Sequence, residues 1–232
     1  HFSNYARTFG KLDSERKLCA EYKLHQSLVG QGKDRDVKRT YEDLVKGYMA
    51  LGDEEKKKPC ALDAVAKASF ALIQPEFDDY EKVSLNVSSK ILGKNLTTKL
   101  DMIDSLTKKY TQVLAIGQGD YGIASLFRIG KMYQHLAQAL FNSPCPKKLN
   151  EDQCFFYQGM LQEKAFPLEE KAVEAFDKTL AKAYELGLYN EWLTKTQDAM
   201  ITYEPDRFPE IHMYDLIASE TVSGAPQLME EN

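Results

Sequence analysis

Three closely spaced glycines carry the strongest chemical signal in this sequence. VLAIGQGDYGIASLFRIG, residues 113–130, holds Gly117-x-Gly119-x-x-Gly122 behind an apolar run and ahead of a helical pattern. In a strand–turn–helix unit, that spacing lets backbone amides cradle a pyrophosphate at a helix N-terminus. The same chemistry needs a strand before the glycines and an acidic residue after a second strand, about twenty positions on. Here Leu96, Leu100, Ile103, Leu106, Tyr110, Val113 and Leu114 precede the cluster, and their spacing traces one face of an α-helix. The region where the acidic residue should stand reads Phe141-Asn142-Ser143-Pro144. Gly117 and Gly119 are therefore expected to turn one helix into the next, and no cofactor is assigned.

The other chemistry-bearing residues are sparse. The histidines are His1, His25, His135 and His212, and no Glu-x-x-His pair supplies the ligands of a di-iron helical bundle. Glu210-Ile211-His212 is too tightly spaced for one helical face and reads as loop surface. His135, two residues after Tyr133, reads as a groove or surface residue. Neither Gly-x-Ser-x-Gly nor His-Glu-x-x-His occurs, so no catalytic residue and no metal ligand is assigned and the chain is not expected to be an enzyme. Asn86-Val-Ser88 and Asn95-Leu-Thr97 match the glycosylation acceptor pattern, which matters only in a secreted eukaryotic protein. Cys145 and Cys154 bracket the loop PCPKKLNEDQC. Of the three pairings that four cysteines allow, Cys19–Cys60 with Cys145–Cys154 is favoured, which points to a periplasmic or other extracytoplasmic compartment. Four reduced thiols in a cytoplasmic protein are the alternative.

Composition narrows the classes further. The chain has 232 residues, 43% hydrophobic and 28% charged, with a net charge of −5. That balance gives no general attraction for nucleic acid or anionic lipid. No run approaches the eighteen or so apolar residues of a membrane helix, so no membrane insertion is expected. The first residue is His1, with no signal peptide after it, as expected of a mature product or an excised piece.

Helices are what must position any site. The periodicity predicts helices near 12–29, 36–51, 55–73, 77–90 and 95–116, then one burying Leu126 to Leu140, then 151–165, 168–186 and 189–203. Asn95 and Asp120 are candidate N-caps, Asn150 with Gln153 makes a capping box, Pro167 opens a helix and Gly187 closes one. β-Branched runs bounded by turns are missing, so the fold is all-α with short connections and antiparallel neighbours. Trp192 reads as core between repeats, and Phe155-Phe156-Tyr157 cannot all face one side, so at least one ring is exposed. Residues 213–232 lose the pattern and read as a C-terminal tail or linker.

One helical phrase recurs. Leu44-x-x-Gly47-Tyr48, Ile129-Gly130-x-x-Tyr133 and Leu180-Ala181-x-Ala183-Tyr184-x-x-Gly187 each combine a large apolar residue, a small one and a tyrosine. The small residue lets a partner helix approach, and the tyrosine packs on the same face. With LAKAYELGLYNEWLTKTQDAMITYEP, residues 180–205, these phrases resemble tetratricopeptide (TPR) repeats, degenerate because the phrases are not spaced at multiples of about 34 residues. EKAFPLEEKAVEAFDKTLAKAYELGLYNEW also resembles the envelope tetratricopeptide proteins of myxobacteria and relatives, some associated with gliding motility.

The resemblance implies a right-handed superhelical stack of antiparallel hairpins, an α-solenoid. Residues 1–94 would form degenerate N-terminal hairpins and 95–212 the clearer repeats. It implies a non-catalytic scaffold holding a partner peptide or protein in a concave groove, within a bacterial envelope or motility complex. The alternative is a helical accessory domain of a larger cell-wall enzyme. Groove positions carried over from the family are Lys131, Gln134 and His135 in one repeat and Lys178, Lys182 and Glu185 in another. Three lysines there suggest an acidic peptide or a chain-terminal carboxylate as partner. A further expectation is that the tail 213–232 occupies the groove.

Overall fold

The computed structural model describes residues 1–10, 13–32 and 37–209. The expected tail, residues 213–232, and the Glu210-Ile211-His212 segment lie outside them. Among the described residues the chain forms nine helices and no strand: α1 Phe2–Phe9, α2 Ser14–Gly30, α3 Val37–Met49, α4 Asp53–Lys56, α5 Pro59–Lys82, α6 Ser89–Ala115, α7 Gly119–Phe141, α8 Glu151–Leu186 and α9 Glu191–Ile201. Helices pack on their neighbours in sequence and on those one or two further along, α2 on α5, α3 on α5, α5 on α7 and α7 on α9. Among the described residues no helix is long and apolar enough to cross a membrane.

Two expected breaks do not exist. α5 runs through Pro75 and α8 runs through Pro167, where separate helices were expected. A proline inside a helix removes one hydrogen bond and crowds the carbonyl four residues back, at a cost of about 3 kcal/mol. Both prolines are exposed, so water can serve the freed carbonyl. Each helix also buries apolar residues on both sides of its proline: Ile73 and Phe77 in α5, Ala165 and Ala172 in α8. Burial on both sides outweighs one lost hydrogen bond.

That continuity joins the interior. α5 gives Ala61, Ala64 and Ala68 to a first core with Leu18, Tyr22 and Leu44. Further along it gives Phe70, Ile73, Phe77 and Tyr80 to a second core with Ile103 and Tyr110 of α6 and Met132 and Leu136 of α7. α8 repeats the device, with Leu161 and Ala165 in the second core and Ala172, Phe176, Leu180 and Ala183 in a third, beside Ile123, Phe127, Leu193 and Met200. The boundary expected after residue 94 falls inside α6, and the second core draws on residues from both sides of it.

The turn chemistry departs from expectation in two places. Gly117 adopts φ 82° between α6 and α7, a left-handed conformation that glycine tolerates best. The cap of α7, however, is Gln118, whose side chain accepts from the Tyr121 amide at 2.8 Å. Asp120 instead accepts from Asn190 Nδ2 at 2.6 Å, tying the start of α7 to the cap of α9. Asn95 caps nothing: α6 begins at Ser89, and Asn95 donates to the Ser84 carbonyl at 2.8 Å. The Asn150–Gln153 capping box forms, and Gly187 closes α8 at φ 64°.

The repeated phrase is only partly core. A Cβ on Gly130 would lie 2.6 Å from Phe176 Cε1 and 3.2 Å from the Ala172 carbonyl oxygen, and one on Gly47 would lie 2.9 Å from Leu18 Cδ1. These glycines admit a neighbouring helix as expected. Tyr48 and Tyr133 pack against the cores, whereas Tyr184 is 50% exposed and its hydroxyl accepts from Gln197 Nε2 of α9 at 3.2 Å.

Candidate functional site

α8 is 36 residues long and its main partner α7 is 23. At 1.5 Å per residue these span about 54 and about 34 Å, so α8 overhangs. None of residues 151–160 is buried. Near its N-terminal tip the overhang is tied to the α7–α8 connection by Cys145 and Cys154, whose Cα atoms are 5.7 Å apart and whose sulfurs are paired.

On the inward face of α8 small residues recur at heptad spacing among Leu161, Phe176 and Leu180. Ala165, Ala172 and Thr179 are fully buried, each preceded by an acidic residue and a lysine: Glu163-Lys164, Glu170-Lys171 and Asp177-Lys178. Small side chains there let α7 approach closely. The same period throws the acidic residues outward. Asp152, Glu163, Glu170, Glu174 and Asp177 follow one another at spacings of 11, 7, 4 and 3 residues, all helical multiples that keep them on one strip. Beside that strip stand exposed apolar side chains: Phe155 at 75%, Phe156 at 70%, Phe166 at 56% and Met160 at 55%. Clustered exposure of large apolar groups on a rigid element marks a contact surface more than a solvated one.

The strip borders a groove of about 600 Å³ between α8 and the segment that follows α9. Phe166, Val173 and Tyr203 supply its apolar lining, and Glu169, Glu170, Glu174, Asp177 and Glu204 supply five carboxylates. Arg207 Nη1 reaches Asp177 Oδ1 and Glu204 Oε2, both at 2.9 Å, and clips the segment to α8. Lys178 pairs with Glu174 at 2.6 Å and holds that carboxyl below its usual range by donating to it. Two cations thus answer five carboxylates, leaving a surplus of three negative charges. Glu169 and Glu170 have no ion pair among the described residues.

The carried-over groove positions do not form one cluster. Gln134 is buried and accepts from Lys131 Nζ at 2.9 Å. Lys178 and Lys182 lie on the outer side of α8, where Lys182 donates to both oxygens of Glu185 at 2.9 and 3.0 Å. His135 faces the other way, into the second core. Its Nδ1 lies 3.2 Å from Nζ of the fully buried Lys99, which donates to the Tyr80 carbonyl at 2.7 Å and sits 3.9 Å from the centroid of the Tyr80 ring. Burial pushes Lys99 down to about 8. Burial, then Lys99 and Lys131, push His135 down to about 4, so His135 is neutral and Lys99 mostly charged at neutral pH. This pair ties α6 to α7.

Two further clusters were legible in part. Cys19 and Cys60 pair as expected, with Cα atoms 6.0 Å apart. Glu15, Cys19 and Cys60 are the one group among the described residues whose donor atoms could converge on a cation, but the two sulfurs hold each other instead. Trp192 sits between the second and third cores, 5.6 Å from the Phe70 ring and 5.7 Å from the Phe127 ring, with the Arg128 guanidinium 5.6 Å away. The acidic strip of α8 is what sequence reasoning missed. The signal was the seven-residue period of acid, lysine and small residue from 163 to 179, hidden because Pro167 suggested a helix boundary in its midst. No family model, curated protein or solved structure matches the chain, so its function has to be read from this surface.

Proposed function

We propose that this protein is a non-catalytic helical scaffold that holds a partner polypeptide along the outer face of α8. The observation that supports this reading is the conjunction of an overhanging, disulfide-anchored helix end with four large exposed apolar side chains and an adjoining groove. Rigid helical surfaces of this kind bind peptides and helices through side chains presented at fixed spacing. The tetratricopeptide-like phrases and the close helix contacts at Gly47 and Gly130 support a repeat-type stack of hairpins as the framework. Two paired disulfides favour an oxidising, extracytoplasmic setting, and an envelope or motility assembly is the setting the family resemblance suggests.

Site-specific photo-crosslinking tests the reading. A photoreactive phenylalanine analogue at Phe156, in cells of the source organism, should yield a discrete adduct with another polypeptide. The same analogue at Phe9, on exposed α1, should not give that adduct. No adduct at Phe156, Met160 or Phe166 would set the scaffold reading aside.

A further inference from the structure

The sign of the charge on this surface says what kind of partner it fits. We infer that the face of α8 takes a basic amphipathic segment, one that sets apolar side chains against Phe155, Phe166 and Val173 and lysine or arginine against the acidic strip. This inference rests on the scaffold reading and reverses the charge expected from the lysines at 131, 178 and 182.

Three observations carry it. The first is position. Phe155, Gly159, Phe166 and Val173 are spaced by 4, 7 and 7 residues, which keeps them on one strip of a helix. That strip runs beside Asp152, Glu163, Glu170 and Glu174 for about 27 Å, the rise from residue 155 to residue 173. An apolar line and an acidic line side by side are the complement of an amphipathic segment with one basic flank. The second is charge balance. Within the strip Lys178 answers Glu174, while Lys182 pairs with Glu185 and Lys171 stands over the Tyr133 ring at 5.3 Å; no ion pair reaches Asp152, Glu163 or Glu170 among the described residues. Glu169 and Glu170, in the lining of the groove, have no ion pair among the described residues. The third is room. A Cβ on Gly159 would meet nothing within 4 Å, so a partner backbone can lie close to α8 between Phe155 and Phe166.

The same observations weigh against other occupants. An acidic peptide or an anionic bilayer would bring like charge against Asp152, Glu163 and Glu170. A second copy of the chain would set one acidic strip against another.

The probes are two fluorescein-labelled 22-residue peptides with one apolar pattern, one bearing lysine and one bearing glutamate at every polar position, together with anionic phosphatidylglycerol vesicles. Anisotropy titration of the full chain should show saturable binding of the lysine peptide only. Raising salt from 50 to 500 mM should weaken that binding about tenfold, because the Debye length falls from about 14 to about 4 Å. The double variant Glu170→Lys, Glu174→Lys should weaken it by a similar factor, and Phe155→Ser, at an exposed position that leaves the fold intact, several-fold. Asp101→Lys with Asp104→Lys on exposed α6 controls for general charge and should change nothing. Binding of the glutamate peptide, binding of the vesicles, or lysine-peptide binding unmoved by the α8 variants would overturn the basic-partner inference while leaving the scaffold reading standing. Absence of binding by either peptide, together with an adduct at Phe156 in cells, would do the same. Absence of both would end the two together.

Discussion

Replacing Gly130 with alanine should destabilise the protein although alanine is the better helix former. In an exposed helix interior the exchange would gain about 1 kcal/mol from propensity. At position 130 the new methyl would stand 2.6 and 2.7 Å from two carbons of the Phe176 ring and 3.2 Å from the Ala172 carbonyl oxygen. Phe176 is fully buried in the third core, against Phe127 at 5.8 Å between ring centroids, so the ring cannot simply swing aside. Forcing a methylene-sized group into such packing costs about 1–3 kcal/mol. The net expectation, from the middle of that range less the propensity gain, is a loss of about 1 kcal/mol, or a midpoint lower by about 2–4 °C for a chain of this size. Gly159→Ala is the matched control, since nothing lies within 4 Å of its Cβ position, and it should raise stability by about 0.5–1 kcal/mol. Thermal and urea unfolding followed by far-ultraviolet circular dichroism give both values. A second exchange, Phe176→Leu in the Gly130→Ala background, should recover part of the loss, showing coupling of about 1 kcal/mol between the two sites. If Gly130→Ala stabilises the protein as much as Gly159→Ala does, the close packing of α7 on α8 is refuted.

Three other outcomes follow from the same geometry. With His135 lowered to about 4 from its ordinary 6.5, the unfolded chain binds more protons between those values. Stability should therefore rise with pH from about 4 to about 6.5, and a His135→Gln variant should flatten that part of the melting profile. Lys99, lowered to about 8 from 10.5, should likewise add stability as pH rises from about 8 to about 10.5, a gain that Lys99→Met should abolish in melts at pH 8 and 10. Denatured, non-reduced protein should contain no free thiol; opening Cys19–Cys60, which closes the longer loop, should cost about 4 kcal/mol, against about 3 for Cys145–Cys154, as read from urea midpoints of the two single-pair serine variants.

The helices were legible because their apolar spacing is strong, and the close approach at Gly47 and Gly130 was legible because a glycine amid large apolar residues has few other uses. Cys145–Cys154 was readable from loop placement, and Cys19–Cys60 followed as the pair left over. The continuity of α5 and α8 was not. A proline in a local window signals a boundary, and only the tertiary fact that Pro75 and Pro167 face outward while both flanks are buried overrides it. Capping failed for a similar reason. Asp120 has the better capping chemistry, but Asn190 claims its carboxylate from 70 residues away, and Gln118 serves the amide of Tyr121 instead. The candidate surface escaped because lysines at 178 and 182 were weighed singly, whereas each has a glutamate within reach on its own helix. The residues left over on that face are acidic and aromatic.

Methionine methyl signals give the most direct reading of where a partner sits. Met160 is 55% exposed on the outer face of α8, while Met132 and Met200 are fully buried in the second and third cores. In a titration of methyl-labelled protein with the lysine-bearing peptide, the Met160 signal should shift saturably and the Met132 and Met200 signals should hold still. A Met160 signal that stays fixed while the peptide demonstrably binds would contradict the assignment of α8 as the docking face.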